Sequence, residues 1–313
     1  MTKTVSQDLK GTKTLVTGAA GFIGQHLLAA LAAGGAKIAT LDHHRSPRDG
    51  SSESHVGDLR DAAFVARAVR ESAPDLIFHL AAFRQRSTGI NDFVRALETN
   101  VLGSLHLFAA AAAQSSLKAI VVMGTAEEYG RNAAPFLETM RELPVSAYSH
   151  SKQALTHLCE VLHDLHGLPA VVLRPSIAYG PGQSSDMFLP ALIRSLLADT
   201  PFPMTAGEQT RDFVYVSDVV DAMLLAATGT GLAGQILNIG SGQPVTIAAL
   251  AHKVAALTGK PQLLQVGKLP YRHGEIMSYT VDTAKARALT GWSPQVGLEK
   301  GLAATIDFFR QHP

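Results

Sequence analysis

Lys13-Thr14-Leu15-Val16-Thr17-Gly18-Ala19-Ala20-Gly21-Phe22-Ile23-Gly24 is the stretch whose reading decides the fold. Thr14 to Thr17 is a short β-branched and apolar run and reads as a strand. Gly18, Gly21 and Gly24 follow at three-residue spacing, and Phe22 to Leu31 then turns helical. A strand before and a helix after are the context in which such a glycine triplet signals a dinucleotide site. Gly18 lets the chain reverse, Gly21 has no Cβ to keep a pyrophosphate away from the backbone, and Gly24 lets the helix pack closely on the strand. The helix start offers free N–H groups to phosphate oxygens, so Phe22 and Ile23 join the three glycines as expected cofactor residues.

Farther along, Lys37 to Leu41 reads as a second strand ending at Asp42, eighteen residues beyond Gly24. A carboxylate there can accept from both ribose hydroxyls of adenosine and repels a 2′-phosphate, which favours NAD over NADP. Arg45, His43 and His44 are the neighbours able to soften that preference, and a simple turn aspartate is the alternative. In Gly57-Asp58-Leu59-Arg60-Asp61, Asp58 is expected to meet the adenine amino group with Leu59 beside it, and Asp61 to cap a helix through Val69. Asp75 to Leu80 reads as a buried strand. Leu80, Ala81 and Ala82 at its end are small or apolar enough for a cofactor to lie across the sheet edge, while His79 reads as packed.

A helix over about 94–114, a strand over Ala119 to Met123, a helix over Ser151 to His166 and a strand over Pro169 to Leu173 complete six alternations of strand and helix. That is the pattern of an α/β, doubly wound parallel sheet of Rossmann type, assigned to residues 1–174. Past Arg174, prolines at 175, 181, 190, 201 and 203 break the alternation. Residues 175–313 are expected to form mainly a smaller substrate-binding α/β lid, with the chain re-entering the first sheet near 235–258.

Lys+Arg 27 against Asp+Glu 26 leaves no field for gripping a polyanion, so nucleic acid is excluded as the main partner. The single cysteine, Cys159, rules out an intramolecular disulfide and sits in an apolar helical setting. No apolar run reaches the roughly 20 residues that span a bilayer, and the polar first twelve residues are no signal peptide, so a soluble cytoplasmic chain is expected. No metal is expected either, because His157, His163 and His166 share a helix without a thiol or carboxylate set.

The chemistry concentrates in two places. Thr125 leaves the strand that ends at Met123, at the carboxyl edge of the sheet. Tyr148 and Lys152 are four apart at a helix start and therefore share a face. A lysine cation lowers a phenol pKa from its reference of about 10, so Tyr148 can exchange a proton with a hydroxyl or ketone while Thr125 holds the same oxygen. Phe83-Arg84-Gln85-Arg86-Ser87 places two cations after Ala82, where they either meet an anionic substrate or form a solvated loop.

Taken together these motifs resemble the extended short-chain dehydrogenases/reductases, in particular the nucleotide-sugar epimerase/dehydratase group, over nearly the whole chain. Tyr179-Gly180-Pro181-Gly182, Arg211-Asp212-Phe213-Val214-Tyr215-Val216 and Asn238-Ile239-Gly240-Ser241-Gly242 add to the likeness. The resemblance implies that Lys152 also touches the nicotinamide ribose, that Asn100 supports the active-site helix and belongs with the cofactor residues, and that Arg211, Arg272 and Glu275 hold the diphosphate part of a sugar nucleotide. It also implies a homodimer joined through the helices near 94–114 and 151–166.

The implied activity is NAD-dependent oxidation and reduction at C4 of a nucleotide-activated sugar, by a 4-epimerase similar to UDP-glucose 4-epimerase or by a 4-ketoreductase. A 4,6- or 5,6-dehydratase is the alternative enzyme, and a catalytically inactive NAD-binding regulator is the alternative of another class. Retention of Thr125, Tyr148 and Lys152 argues against the regulator. Two departures matter. Ile177 stands where relatives commonly carry a substrate-contacting Asn, and Ala126 stands where many dehydratases carry an Asp before the Glu that is retained here as Glu127, the fourth candidate catalytic residue.

Overall fold

The computed structural model describes residues 9–44, 53–85, 87–272 and 274–312; Arg45 and Arg86 lie outside them. The chain runs β1 (Lys13–Thr17), α1 (Phe22–Ala33), β2 (Lys37–Asp42), β3 (Glu53–Val56), α2 (Ala62–Ser72) and β4 (Leu76–His79). It continues through α3 (Ile90–Leu97), α4 (Gly103–Ala112), β5 (Ala119–Met123), α5 (Ala147–His166) and β6 (Ala170–Pro175). A seventh strand, Ile236–Ile239, completes one parallel sheet in the order Ile236–Ile239, β6, β5, β4, β1, β2, β3. The strand order reverses between β1 and β4, so the crevice for a ligand opens there, at the carboxyl ends.

The central strands are apolar without alternation because helices cover both faces of the sheet. In β5, Val121 packs with Val16, Leu27, Phe78 and Met223 on one side, while Ile120 and Val122 pack with Leu15, Val65, Leu107 and Leu155 on the other. Asp61 caps α2 as its sequence suggests, accepting from the N–H groups of Ala63 and Phe64, and the helix runs on to Ser72. The helix expected from 94 starts at Ile90 and contains a π-helical turn, Glu98–Leu102, between α3 and α4. That turn carries Asn100, which is fully buried.

The second half holds α6 (Phe188–Leu197), α7 (Val216–Thr228), α8 (Ile247–Thr258), α9 (Ala284–Thr290) and α10 (Leu298–Gln311). The chain re-enters the first sheet as the strand Ile236–Ile239, inside the expected 235–258, and α7 before it packs on α1 and against β5 and β6. Helix α8, in the rest of that span, packs elsewhere. The apolar stripe Ile247, Leu250, Ala251 and Val254 of α8 matches Leu189, Leu192 and Ile193 of α6, and the two pack with Leu302 and Ile306 of α10 in a separate core. A stripe that finds its complement on another helix has no surface left for the sheet.

Candidate active site

A cavity of about 570 Å³ lies at the carboxyl ends of the central strands. Its walls include Gly18, Gly21, Phe22, Ile23, Gly24, Asp42, Leu59, Leu80, Ala81, Ala82 and Arg84 from the sequence-predicted set, together with Tyr148 and Lys152. Gly18 has φ +71°, and a Cβ there would lie 2.6 Å from the backbone N of Ala81. A Cβ on Gly24 would fall 2.5 Å from the Gly18 carbonyl oxygen. At Gly21 only that oxygen stands near, at 3.2 Å, and the rest of the space is open. Gly21 caps α1 without a side-chain hydrogen bond, and no acidic residue occupies the first turn. The helix start therefore keeps its N–H groups for an anion. Asp42 accepts from the N–H of Ala20 at 3.3 Å, which fixes its carboxylate at the ribose end. These residues fit NAD: the glycine turn with the α1 N-terminus for the pyrophosphate and Asp42 for the adenosine ribose.

Two expected cofactor residues lie outside the cavity lining, and one of them, Asn100, supports α5 as the resemblance implied. Asp58 is absent from the lining, and its carboxylate is engaged by Arg60, whose Nη2 donates at 2.6 Å and Nε at 3.0 Å. The Arg60 guanidinium holds the Asp58 carboxyl at a pKa of about 2, while Gly57, Leu59 and Arg60 themselves face the cavity. Asn100 is scaffold to the cavity wall: its Oδ1 accepts from the N–H of Phe83 at 2.7 Å, and its Nδ2 donates to the Phe83 carbonyl at 3.0 Å and to Ser151 Oγ at 2.8 Å. It joins the Ala82-Phe83 loop to α5. Arg95 and Thr99 line the cavity and were missed, although their i,i+4 spacing beside Asn100 was a usable signal. Arg95 stacks over the Phe83 ring, 5.0 Å from its centroid.

Helix α5 starts at Ala147, four residues before the expected Ser151, because Ser146 caps it by accepting from the N–H of Ser149. Tyr148 and Lys152 thus stand in its first turns, 8% and 1% exposed. Lys152 Nζ donates to the Met123 carbonyl at 2.7 Å. Burial lowers its pKa to about 8, against the opposing pull of Glu128. Thr125 lies two residues past Met123, is nearly buried, and is outside the lining of the cavity. Its Oγ1 accepts from the N–H of Glu127 at 3.2 Å and caps the short 3-10 turn Ala126–Glu128, where Glu127 sits half-buried. His79 is packed as expected, bonded to Thr17 and Ser104, and burial pushes its imidazole down to about 3.

A second cavity of about 390 Å³ brings Ile177, Arg211, Arg272 and Glu275 together among Met187, Phe188, Phe202, Met204 and Pro270. Arg211 donates to the carbonyls of Thr210 and Ile276, both at 2.7 Å, and pairs with the Glu275 carboxylate. Other motif residues act as mortar. The Asp212 carboxylate accepts from Ser241 N–H at 2.8 Å and from its hydroxyl at 2.5 Å, and Asn238 Oδ1 accepts from the Tyr129 hydroxyl at 2.7 Å.

The profile of the NAD dependent epimerase/dehydratase family matches residues 14–240. The chain belongs to this family. It is 32% identical to a UDP-glucose 4-epimerase of Mycolicibacterium smegmatis over 95% of this chain and 98% of that one. It is 29% identical to a dTDP-glucose 4,6-dehydratase of Xanthomonas campestris pv. campestris, over 94% of this chain and 92% of the other. Among solved structures, the UDP-glucose 4-epimerase of Thermotoga maritima with UDP-glucose superposes with a TM-score of 0.88 at 29% identity, covering 96% of this chain and 99% of that chain. The protein is an NAD-dependent enzyme of this family with a Rossmann-type sheet, as its motifs imply. No helix among the described residues is long and apolar enough to cross a membrane.

Proposed function

We propose that this enzyme oxidises and reduces C4 of a nucleotide-activated sugar, with 4-epimerisation its first reaction and 4-ketoreduction its second. One observation carries the reading: Tyr148 and Lys152 face the same cavity as the glycine turn and Asp42. NAD supplies a hydride acceptor and donor when bound. The Tyr148 phenol oxygen takes the proton of the C4 hydroxyl and gives it back to the C4 oxygen when the ketone is reduced. The Lys152 cation, tied to Met123, favours the phenolate form of Tyr148. Thr125 accepts the Glu127 N–H through its oxygen, so its own O–H is left to donate to the sugar oxygen.

Arg211, Arg272 and Glu275 hold the nucleotide diphosphate, and the apolar walls of the second cavity receive the base. Ile177 offers no hydrogen bond there, so the arginines carry that task. Arg84 and Arg95 stand at the first cavity as cations for anionic ligand groups. Dehydration is disfavoured because Ala126 gives a departing C6 hydroxyl no proton, which costs about 10²–10⁴ in rate. The inactive regulator is disfavoured by the intact Tyr148 and Lys152 pair.

Incubation with NAD and UDP-, dTDP-, CDP- or GDP-sugars is expected to give an epimerised product of unchanged mass, and incubation of a 4-keto sugar nucleotide with NADH a C4-reduced product two hydrogens heavier. Tyr148→Phe should lower turnover by about 10²–10⁴ while leaving NAD affinity nearly intact. A product lighter by one water, abolished by Glu127→Gln, would replace this reading with dehydration.

The chain is proposed to be a cytoplasmic homodimer. Ile90 and Val94 of α3, Leu102 and Leu105 beside and on α4, and Val161 and Leu165 of α5 leave apolar side chains in solvent, Ile90 at 76% and Leu165 at 71% exposure. Such exposed apolar side chains along three helices call for a covering surface. Sedimentation as a single-chain species at micromolar concentration would sink the dimer.

A further inference from the structure

Glu128 is fully buried and lines neither cavity, yet three separate elements converge on its carboxylate. Oε1 accepts from the backbone N–H of Thr125 at 2.8 Å. Oε2 accepts from the Thr156 hydroxyl of α5 and from Arg174 Nε of β6, each at 2.8 Å. Tyr148, Lys152 and Thr156 follow one another at four-residue spacing on one face of α5, so this carboxylate grips the helix one turn beyond the lysine. Arg174 is itself fixed: its Nη2 donates to Glu142 at 2.6 Å, and its guanidinium lies over the Tyr129 ring at 4.8 Å. Glu142 continues outward to His157 on the exposed side of α5, at 3.3 Å.

Two buried cations, Lys152 and Arg174, thus stand with the buried carboxylate of Glu128 and the half-buried one of Glu142. An ammonium as buried as Lys152 loses its hydration and requires an anion nearby to remain charged. The titratable and charged groups around it are Tyr148 and Cys159 on its own helix, His79 from β4, Glu128 from the turn after β5, and Arg174 from β6 through Glu128. His79 is held neutral by burial and the Cys159 thiol is pushed up by it, so neither supplies charge near neutral pH. Glu128 is the one carboxylate among these groups. Burial raises the Glu128 pKa, and Arg174, the Thr125 N–H and the Thr156 hydroxyl oppose that rise by holding the ionised carboxylate.

We propose that Glu128 is a positioning residue for proton transfer: its carboxylate fixes the Thr125 turn against α5 and β6, and its charge keeps the Lys152 ammonium charged beside Tyr148. The proposal rests on the reading of Tyr148 and Lys152 as the proton-transfer pair, but its test does not require turnover. In protein labelled with ¹³C at the lysine Cε, the Lys152 resonance is the one lost in Lys152→Met, and its shift against pH reports the titration of that amine.

The midpoint is expected near pH 8 in the parent protein. Glu128→Gln keeps the length and one acceptor oxygen, for Thr125 or for Arg174, but removes the charge, and it should move the midpoint down by about one pH unit or more, tenfold in proton affinity. Glu142→Gln, which also takes a carboxylate from Arg174 but does not face Lys152, should move it less. Thr156→Val, which only frees Oε2 on one side, should move it down slightly, with Thr156→Ser restoring the parent value; this pair decides the matter if Glu128→Gln does not fold. An unchanged midpoint in folded Glu128→Gln, a shift in Glu142→Gln as large as in Glu128→Gln, or an unchanged midpoint in Thr156→Val overturns the proposal. A shift as expected in a chain that turns over no sugar nucleotide leaves Glu128 in this role and sinks the function proposed above instead.

Discussion

The two cavities, about 570 and about 390 Å³, are built by opposite means. The cofactor cavity is shaped by what side chains leave out: Gly18, Gly21 and Gly24 at one wall, Ala81 and Ala82 at another, and a helix N-terminus between them. The second cavity, proposed to receive the substrate, is shaped by what side chains put in. Met187, Phe188, Phe202, Met204, Pro270 and Arg272 reach it from loops and short elements spread over nearly a hundred residues. A site made of bare backbone accepts one ligand geometry and tolerates little change, whereas a site made of side chains can be re-cut residue by residue. Relatives of this chain carry different substrate names, a UDP-glucose 4-epimerase and a dTDP-glucose 4,6-dehydratase.

The largest effect that can break the comparison is expected from Gly18→Ala. The left-handed backbone at φ +71° alone costs an alanine about 1–3 kcal/mol, and a Cβ 2.6 Å from the Ala81 nitrogen adds about 1–3 kcal/mol of overpacking against backbone that cannot swing aside. Urea unfolding should show that loss, and NAD titration should show weakened binding, because relief of the clash must move Ala81 at the cavity wall. Gly182→Ala is the internal control. Its φ is +82° but nothing lies within 4 Å of the new Cβ, so only the conformational part of the cost applies. Equal losses in the two variants would mean that close approach contributes nothing at Gly18 and that the cavity is not built by missing side chains.

The same division explains what could be read from the sequence. The glycine turn, the Asp42 strand end and the small pair Ala81-Ala82 are local signals, each a few residues long, and the structure gathers them around one cavity. The Tyr148 and Lys152 pair was legible for the same reason, since helical spacing sets its geometry. Asp58 was read as meeting the adenine, but its carboxylate is taken by Arg60 only two residues on, while Asn100 does support α5 through Ser151 as the resemblance implied, from a π-helical turn that no spacing rule announces. Glu128 and Arg174 escaped notice altogether, because a buried ion pair between residues 46 apart leaves no local pattern. The second half was legible as a break in the alternation but not as packing, since α7 and α8 look equally apolar in sequence and go to different cores.

A smaller effect sharpens the comparison from the substrate side, where Arg211 and Arg272 line one cavity in different states. Arg211 is largely shielded, and its fork is spent on Glu275 and on the carbonyls of Thr210 and Ile276. Arg211→Ala should therefore do two things at once. It should leave Glu275 without its cation and two carbonyls without donors, a loss of about 1–3 kcal/mol in unfolding free energy, and it should weaken UDP binding. Arg272 stands exposed at the rim, where a single cation is worth about 1 kcal/mol or less to a bound diphosphate. Arg272→Ala should lower the affinity for UDP by about fivefold at low salt, less at high salt, with the melting temperature unmoved. Calorimetric titration of both variants with UDP, beside their thermal unfolding, separates the roles. Should Arg272→Ala bind UDP as the parent does, the diphosphate is not held at this rim. Should Arg211→Ala keep its full melting temperature, the Glu275 pair is not a structural clasp, and the substrate cavity is even more freely re-cut than its scattered walls imply.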